Sequence, residues 1–467
     1  MSYRLRIAVA LTIAALSGCS STPMSPAAQP SVAAEYGRGD SEKNAPSEPV
    51  KLSAEDSTVA AAGPWWQQFG DERLNRLVEK MLAANTDIAT AGLALERAKL
   101  VAGLAFDDLL PQLDASVSGS YSKSLRGPAN SSKSYSAGVG VGYEVDLWRR
   151  LRNQHDIARW EAQATAEDLE STRLALIGET CDLYWQLAFL NQRIVASESS
   201  IERLRTTQRL VQVQFNAGDV SRLEAREAEQ NYQSELAAHS QLLQSRVEVR
   251  NALTVLLDGT PWPQADEPGQ LAAFEMPTVR EGLPAELLGR RPDLRAAELR
   301  LRGVLTSVGV TRASYYPAVT LTGGVSSGSV SLSDVLSNPV ATLGAGIALP
   351  FLQWNQQRLN VAIAKQDYAI AVNGFRDALF RAFADVDNAL SALTALETQL
   401  QATQRSYDEA VEVERLYSVR YRVGATPLRS WLEAQETRRS AEVSLAQARL
   451  RRLQNLSLLY RALGGVA

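Results

Sequence analysis

Hydrophobic residues fall along this chain in two rhythms. From Leu113 to Ser122 every second residue is apolar or small: Leu113, Ala115, Val117, Gly119 and Tyr121 alternate with Asp114, Ser116, Ser118, Ser120 and Ser122. A period of two predicts a strand with one apolar and one polar face. The stretch "YSAGVGVGYEVDLW" at 135–148 predicts a second strand, with Tyr135, Ala137, Val139, Val141, Tyr143 and Val145 on one face. The pattern returns at Val319, Leu321, Gly323 and Val325, and again at Ala341, Leu343, Ala345, Ile347, Leu349 and Phe351. Polar loops carrying Gly, Pro or Asn join the two strands of each pair.

The second rhythm is helical. From Arg150 to about Val213 there is no proline and one glycine, and Ala, Leu, Glu, Gln and Arg predominate. Ile194, Ile201, Leu204 and Val211 step by seven, three and seven, a coiled-coil spacing. Some 64 residues at about 1.5 Å each predict a rod of about 96 Å. A similar run spans Gln356 to Arg420. Gly218 and Gly424 end the two rods, and a helix of about 35 residues is expected to return along each.

The two halves are copies. Pro111 and Pro317, Trp148 and Trp354, Gly218 and Gly424, and Asp87 and Asp293 are each 206 residues apart, as are "LLDG" at 256–259 and "ALGG" at 462–465. One unit, in the order helix, strand, loop, strand, long helix, turn, helix, is therefore used twice. We place the first unit at 64–260 and the second at 291–467, with a linker at 261–290.

The N-terminus changes the picture by supplying an address. Arg4 and Arg6 precede an apolar run from Ile7 to Leu16, too short to span a bilayer and of signal-peptide length. It ends in Leu16-Ser17-Gly18-Cys19, which resembles a bacterial lipobox. That resemblance implies removal of residues 1–18 and acylation of Cys19, and Ser20 resembles the pattern sent to the outer membrane. Residues 19–63 are Ser-, Ala- and Pro-rich without helical or strand period, and read as a tether.

Composition then removes whole classes of function. The 467 residues carry a formal net charge of −4, which gives no basic surface for nucleic acid. Only His155 and His239 are available as histidines, and no Cys/His metal spacing, nucleophile elbow or phosphate loop occurs. We expect no enzyme, no metal and no cofactor. With Cys19 acylated, Cys181 has no disulfide partner in the chain, and its apolar helical setting predicts a small core residue.

Strands of about eleven residues are long enough to cross a bilayer when tilted. Four of them cannot close a barrel, and their edges would meet lipid with unpaired backbone groups. If they span a membrane, several chains must pool them. With Cys19 at the periplasmic leaflet, the strand loops would face outward and the rods would point into the periplasm.

These features together resemble the TolC-like outer-membrane factors, in particular the NodT-type lipoprotein branch. The resemblance rests on "WWQQFGDERLNRLV" at 65–78, "LLGRRPDLRAAE" at 287–298, the strand openings at Pro111 and Pro317, and the two tip turns. It covers residues 64–465. It implies a mainly α protein with a small membrane β-barrel portion: a homotrimer with four strands per chain in one twelve-stranded barrel, continuing into a periplasmic α-barrel tunnel of long helices. Residues around 258–290, the segment near Gly63–Leu82 and the C-terminus would form an equatorial belt. The implied partners are outer-membrane lipid, a periplasmic adaptor and an inner-membrane RND-type pump. The implied function is a passive efflux duct for drugs or other small toxic molecules, without cofactor. The same architecture serves a duct for ATP-driven type I protein secretion. A non-conducting helical envelope lipoprotein would need no trimer at all.

In this family the tunnel closes at the periplasmic tip, often on acidic residues six and nine positions after the tip glycine. Counted from Gly424 those positions are Ser430 and Glu433, so only the second is acidic here. Arg429 stands where an apolar constriction residue is common, and is placed to pair with Glu433 four residues on. The same count from Gly218 gives Glu224 and Glu227. Gly218 and Gly424, each with an aromatic residue three positions earlier, Phe215 and Tyr421, match the pattern for adaptor docking.

Overall fold

The structure, a computed structural model, describes residues 64–125, 131–271 and 287–465. Cys19 and the tether lie outside the described residues. Two short helices open the described chain, α1 (Glu72–Ala84) and α2 (Thr86–Asp107). Strands β1 (Gln112–Lys123) and β2 (Ser131–Val145) follow, then the long helix α3 (Arg150–Ala217) and its return α4 (Arg222–Leu256). The second half holds α5 (Pro292–Ala313), β3 (Ala318–Ser329), β4 (Val340–Ala348), the long helix α6 (Trp354–Arg422) and α7 (Leu428–Ala462).

The copies keep a common offset in most of their elements. Adding 206 to both ends of α2, β1 and α4 gives both ends of α5, β3 and α7. The long helices differ in length by one residue, 68 in α3 and 69 in α6. Both rods extend beyond the expected ends, because nothing breaks the helix until the tip glycine. Strand β4, by contrast, stops at Ala348, short of the expected Leu349 and Phe351. Pro350 opens a 3-10 turn there, and a proline has no N–H to give the ladder.

The four strands form one antiparallel sheet in the order β1-β2-β3-β4. Its register pairs apolar with apolar: Leu113 lies opposite Val141, Tyr143 opposite Leu321 and Val319 opposite Ile347. The opposite face sets hydroxyls and acids against glycine, with Asp114 opposite Gly140 and Thr322 opposite Gly344. Both faces of β1 and β4 are exposed.

The largest core sits where α1, α3, α4 and α7 meet. Trp65 stacks on Tyr460 with ring centroids 5.1 Å apart, and Phe69 meets Trp185 edge-on at 5.0 Å. Gly70 takes a positive φ to turn the chain, and Asp71 then caps α1 through Arg73 N and Leu74 N. The other Asp71 oxygen accepts from Tyr184 Oη at 2.5 Å. The "WWQQFGD" motif is thus a plug and cap for this core. The second motif is a junction: Arg291 reaches Asp293 at its own helix start, Asp385 on α6 and the carbonyl of Ala462 at the end of α7. Gly178 inside α3 makes room for the Arg461 side chain lying across it, which a Cβ there would force to shift.

Among the described residues no helix is long and apolar enough to cross a membrane.

Candidate functional site: the hairpin tips

The tips are built by the same backbone device twice. Gly218 has φ 82° and Gly424 φ 73°, left-handed values that favour glycine. In the first tip, Gly218 N donates to Phe215 O and Asp219 N to Gln214 O. In the second, Gly424 N donates to Tyr421 O and Ala425 N to Arg420 O. The returns start differently. Ser221 and Glu224 form a capping box, Ser221 N donating to Glu224 Oε2 at 2.7 Å, whereas Pro427 precedes α7 with its ring fixing the entry.

The expected gate residues separate into groups. Arg429 Nε donates to Glu433 Oε1 at 2.8 Å, and both side chains are largely exposed. Glu433, and then Glu227 across from the first hairpin, hold the Arg429 guanidinium above its ordinary value. Arg429, Glu433 and Glu227 therefore share one electrostatic neighbourhood at the second tip. Glu224 is instead engaged as the cap of α4, and Ser430 is half-buried. Of the aromatic pair, Phe215 is at the surface, while Tyr421 turns inward: it stacks on Trp431 at 5.2 Å and donates to Gln214 Oε1 on the other hairpin at 2.8 Å. Burial raises the Tyr421 phenol above its ordinary value, with Glu224 adding to the effect.

The sequence reading missed the apolar contact that ties the hairpins together. Val211 of α3, Ala228 of α4, and Leu428 and Leu432 of α7 form a buried cluster just above the tips, with Trp431 and Tyr421 packed on it. Its signal was present in "PLRSWL": an i, i+4 leucine pair with a tryptophan between, one turn into a helix. Higher up, Glu235 is buried on α4, accepts from Ser197 Oγ at 2.6 Å and pairs with Arg439 of α7 at 3.3 Å. A buried carboxylate bound from both sides links the hairpins a second time.

Long paired helices below a four-stranded sheet with one mainly apolar face, duplicated and ending in matched tips, define a channel-type outer-membrane protein. The comparisons agree. A model of the outer membrane efflux protein family matches residues 77–259 and 283–465, and the two matches are themselves offset by 206 residues (283 − 77 and 465 − 259). The pyoverdine export outer membrane protein OpmQ of Pseudomonas aeruginosa is 31% identical over 447 residues, 91% of this chain and 92% of that protein. Toxin and drug export protein A of Aggregatibacter actinomycetemcomitans is 29% identical over 409 residues, 86% of this chain and 88% of that protein. The open-state MtrE outer membrane channel of Neisseria gonorrhoeae superposes with TM-score 0.80 at 29% identity, covering 96% of this chain and 98% of that one. The chain belongs to the outer membrane efflux protein family. It is an outer-membrane efflux channel, of a family of channels rather than enzymes that works with export pumps.

Proposed function

We propose that three copies of this chain form the passive exit duct of a tripartite efflux system, anchored through Cys19, with a twelve-stranded barrel above a tunnel of long helices. The observation that carries this reading is the pair of open flanks. Helix α5 packs between α3 and α6, whereas its counterpart α2 packs extensively only on α3. Ile157 of α3 lies against α5 beside Gly303, but Ile363, its counterpart 206 residues on, is 57% exposed. Leu359, Ile363 and Ile370 on α6, and Leu93, Leu100 and Leu104 on α2, form exposed stripes stepped by four and seven, a spacing for knobs-into-holes packing. One copy's α6 against the next copy's α2 repeats the internal α3–α5 packing and closes a ring.

The same repetition fixes the strand register between copies. Val141 lies opposite Gly323 within the chain. Shifted by one repeat (141 + 206 and 323 − 206), this places Ile347 opposite Val117 of the partner subunit. The test is oxidation of an Ile347→Cys, Val117→Cys double variant in outer membranes. A covalent trimer ladder on denaturing gels supports the reading. Monomer from this pair, with ready cross-linking of an off-register Ile347→Cys, Ala115→Cys pair, refutes it.

At the periplasmic end, the tip turns dock an adaptor protein, and Arg429, Glu433 and Glu227 surround the closed aperture, with Ser430 and Glu224 behind them. Three Glu433 carboxylates about an axis repel one another and attract cations. An RND-type inner-membrane pump supplies the energy, and the duct needs no cofactor. The relatives export pyoverdine or toxins and drugs by their names, which supports small toxic molecules as cargo.

A further inference from the structure

The apolar face of the sheet carries charge at one end only. On that face Leu113, Val117 and Tyr121 of β1 continue to Lys123, and Tyr135 of β2 is preceded by Lys133. The register sets Tyr121 directly opposite Lys133, with Gly119 opposite Tyr135 and Lys123 opposite Ser131. Directly opposed residues in an antiparallel pair point to the same side, so two tyrosines and two lysines share one patch. The Tyr135 ring lies over Gly119, where a Cβ would sit 3.2 Å from its Cδ1. Both lysines are exposed, and Tyr121 is 62% exposed. They are the only charged side chains on this face of the four strands, and no carboxylate shares it.

The patch lies at the end of the sheet away from the helices. The eight steps from Leu113 to Tyr121 rise about 27 Å along the strand, roughly 20 Å of height at the tilt of a membrane barrel. In the barrel reading Lys133 stands level with Tyr121 at the outer, extracellular end of this apolar band, Lys123 one pair of residues further out, and Tyr135 one pair further in. The second copy of the hairpin lacks them. Their repeat counterparts in the second hairpin are Ser329 and Pro339, and those of the tyrosines are Ser327 and Ala341. The second hairpin keeps the same register without any of the four, although its ladder ends at Ser326 opposite Val340 while the first runs on to Lys123 opposite Ser131.

From this we infer that Tyr121, Lys123, Lys133 and Tyr135 form a headgroup site for the phosphorylated glycolipid of the outer leaflet, the lysine ammoniums binding lipid A phosphates while the tyrosines lie along the acyl–headgroup boundary. Charge complementarity selects this occupant. An apolar face alone takes any acyl chain, but two cations at its outer rim match a lipid bearing phosphates at that depth. Lysine provides three rotatable donors on a flexible stem, suited to a phosphate of variable position. The inference rests on the barrel reading above, since it needs this face turned to lipid.

The full-length protein, purified in mild detergent and delipidated, is titrated with diphosphoryl lipid A, dephosphorylated lipid A, phosphatidylglycerol and inorganic phosphate, with retention read by native mass spectrometry. Diphosphoryl lipid A binds most tightly, dephosphorylated lipid A at least tenfold more weakly, and millimolar inorganic phosphate does not displace the lipid. A Lys123→Ser, Lys133→Ser double variant loses roughly 25-fold in affinity, taken as about fivefold per basic residue, and Lys123→Arg, Lys133→Arg stays within about twofold. Equal binding by the serine variant, equal binding of dephosphorylated lipid A or phosphatidylglycerol, or displacement by inorganic phosphate overturns the site. Each protein is also run unheated for an SDS-resistant oligomer. An oligomer with no lipid preference refutes this site alone, whereas no oligomer in the wild type refutes the barrel reading and this site with it.

Discussion

Helices α3 and α6 are repeat counterparts of almost equal length, yet α3 buries twenty residues and α6 only six. The short helices show the reverse order: α2 buries only Ile88, and its counterpart α5 buries six residues. A duplicated sequence has therefore produced two unlike environments. Position along the chain explains the difference. The middle elements, α3 and α5, have neighbours on both sides, whereas α2 packs extensively on α3 alone and α6 packs on α5 and its own return helix α7 with its other side open. Exposed leucine and isoleucine at coiled-coil spacing on the flanks are the surface on which the proposed trimer would close.

The comparison is broken most severely by a pair of substitutions, one in each environment. Trp185→Ala on α3 removes a side chain 1% exposed and packed on Phe69, and should cost about 3–5 kcal/mol of protomer stability. Ile370→Asp on α6 alters a side chain 68% exposed, and should shift protomer stability by no more than about 0.5 kcal/mol. It should nevertheless abolish the SDS-resistant oligomer. Denaturant unfolding followed by circular dichroism, with unheated gels alongside, separates the two effects. Equal unfolding midpoints for the two variants would remove the distinction between covered and open helices.

A smaller effect sharpens the covered side. Burial pushes the Asp182 carboxyl up to about 6 from 3.8, with Arg461 pulling it back and Glu179 adding to the rise. A folded value above the unfolded one means that the native state holds the extra proton between about pH 4 and 6. Stability therefore falls as pH rises through that window, and the cost is complete above it. Asp182→Asn should gain about 1–3 kcal/mol at pH 8 and nothing near pH 4. Thermal melts at the two pH values check this, and a gain independent of pH would assign it to packing instead.

The smallest stability effect belongs to the tip. Glu433→Gln removes an exposed partner of Arg429 and should leave the melting temperature unchanged. Single-channel recordings should nonetheless show cation preference reduced by about twofold. Unaltered ion selectivity would make Arg429–Glu433 a solvated surface pair.

Much of this was legible in the sequence. Strand alternation, rod length, the tip glycines and the 206-residue offset are local or periodic properties, written in the spacing of apolar residues and helix breakers. Cys181 reads as core and is fully buried, with its thiol pushed well up by that burial. The roles of the motifs were less legible. "RRPDL" identifies the family by its letters, but its work is the reach of Arg291 to Asp385 and to the end of α7, residues 94 and 171 positions away. Glu224 read as a gate acid by its count from Gly218, and a bond to Ser221 N makes it a cap.

The sequence by itself determined the elements, their order and their duplication, because helix and strand periods, prolines and left-handed glycines act within a few residues of themselves. Only the tertiary structure decided which copy of each element is covered, that Tyr421 crosses to Gln214 and Arg439 to Glu235, and that two lysines and two tyrosines from separate strands share one patch. Those outcomes depend on which distant segments become neighbours. A repeat that looks alike to its own residues is set apart by what packs against it.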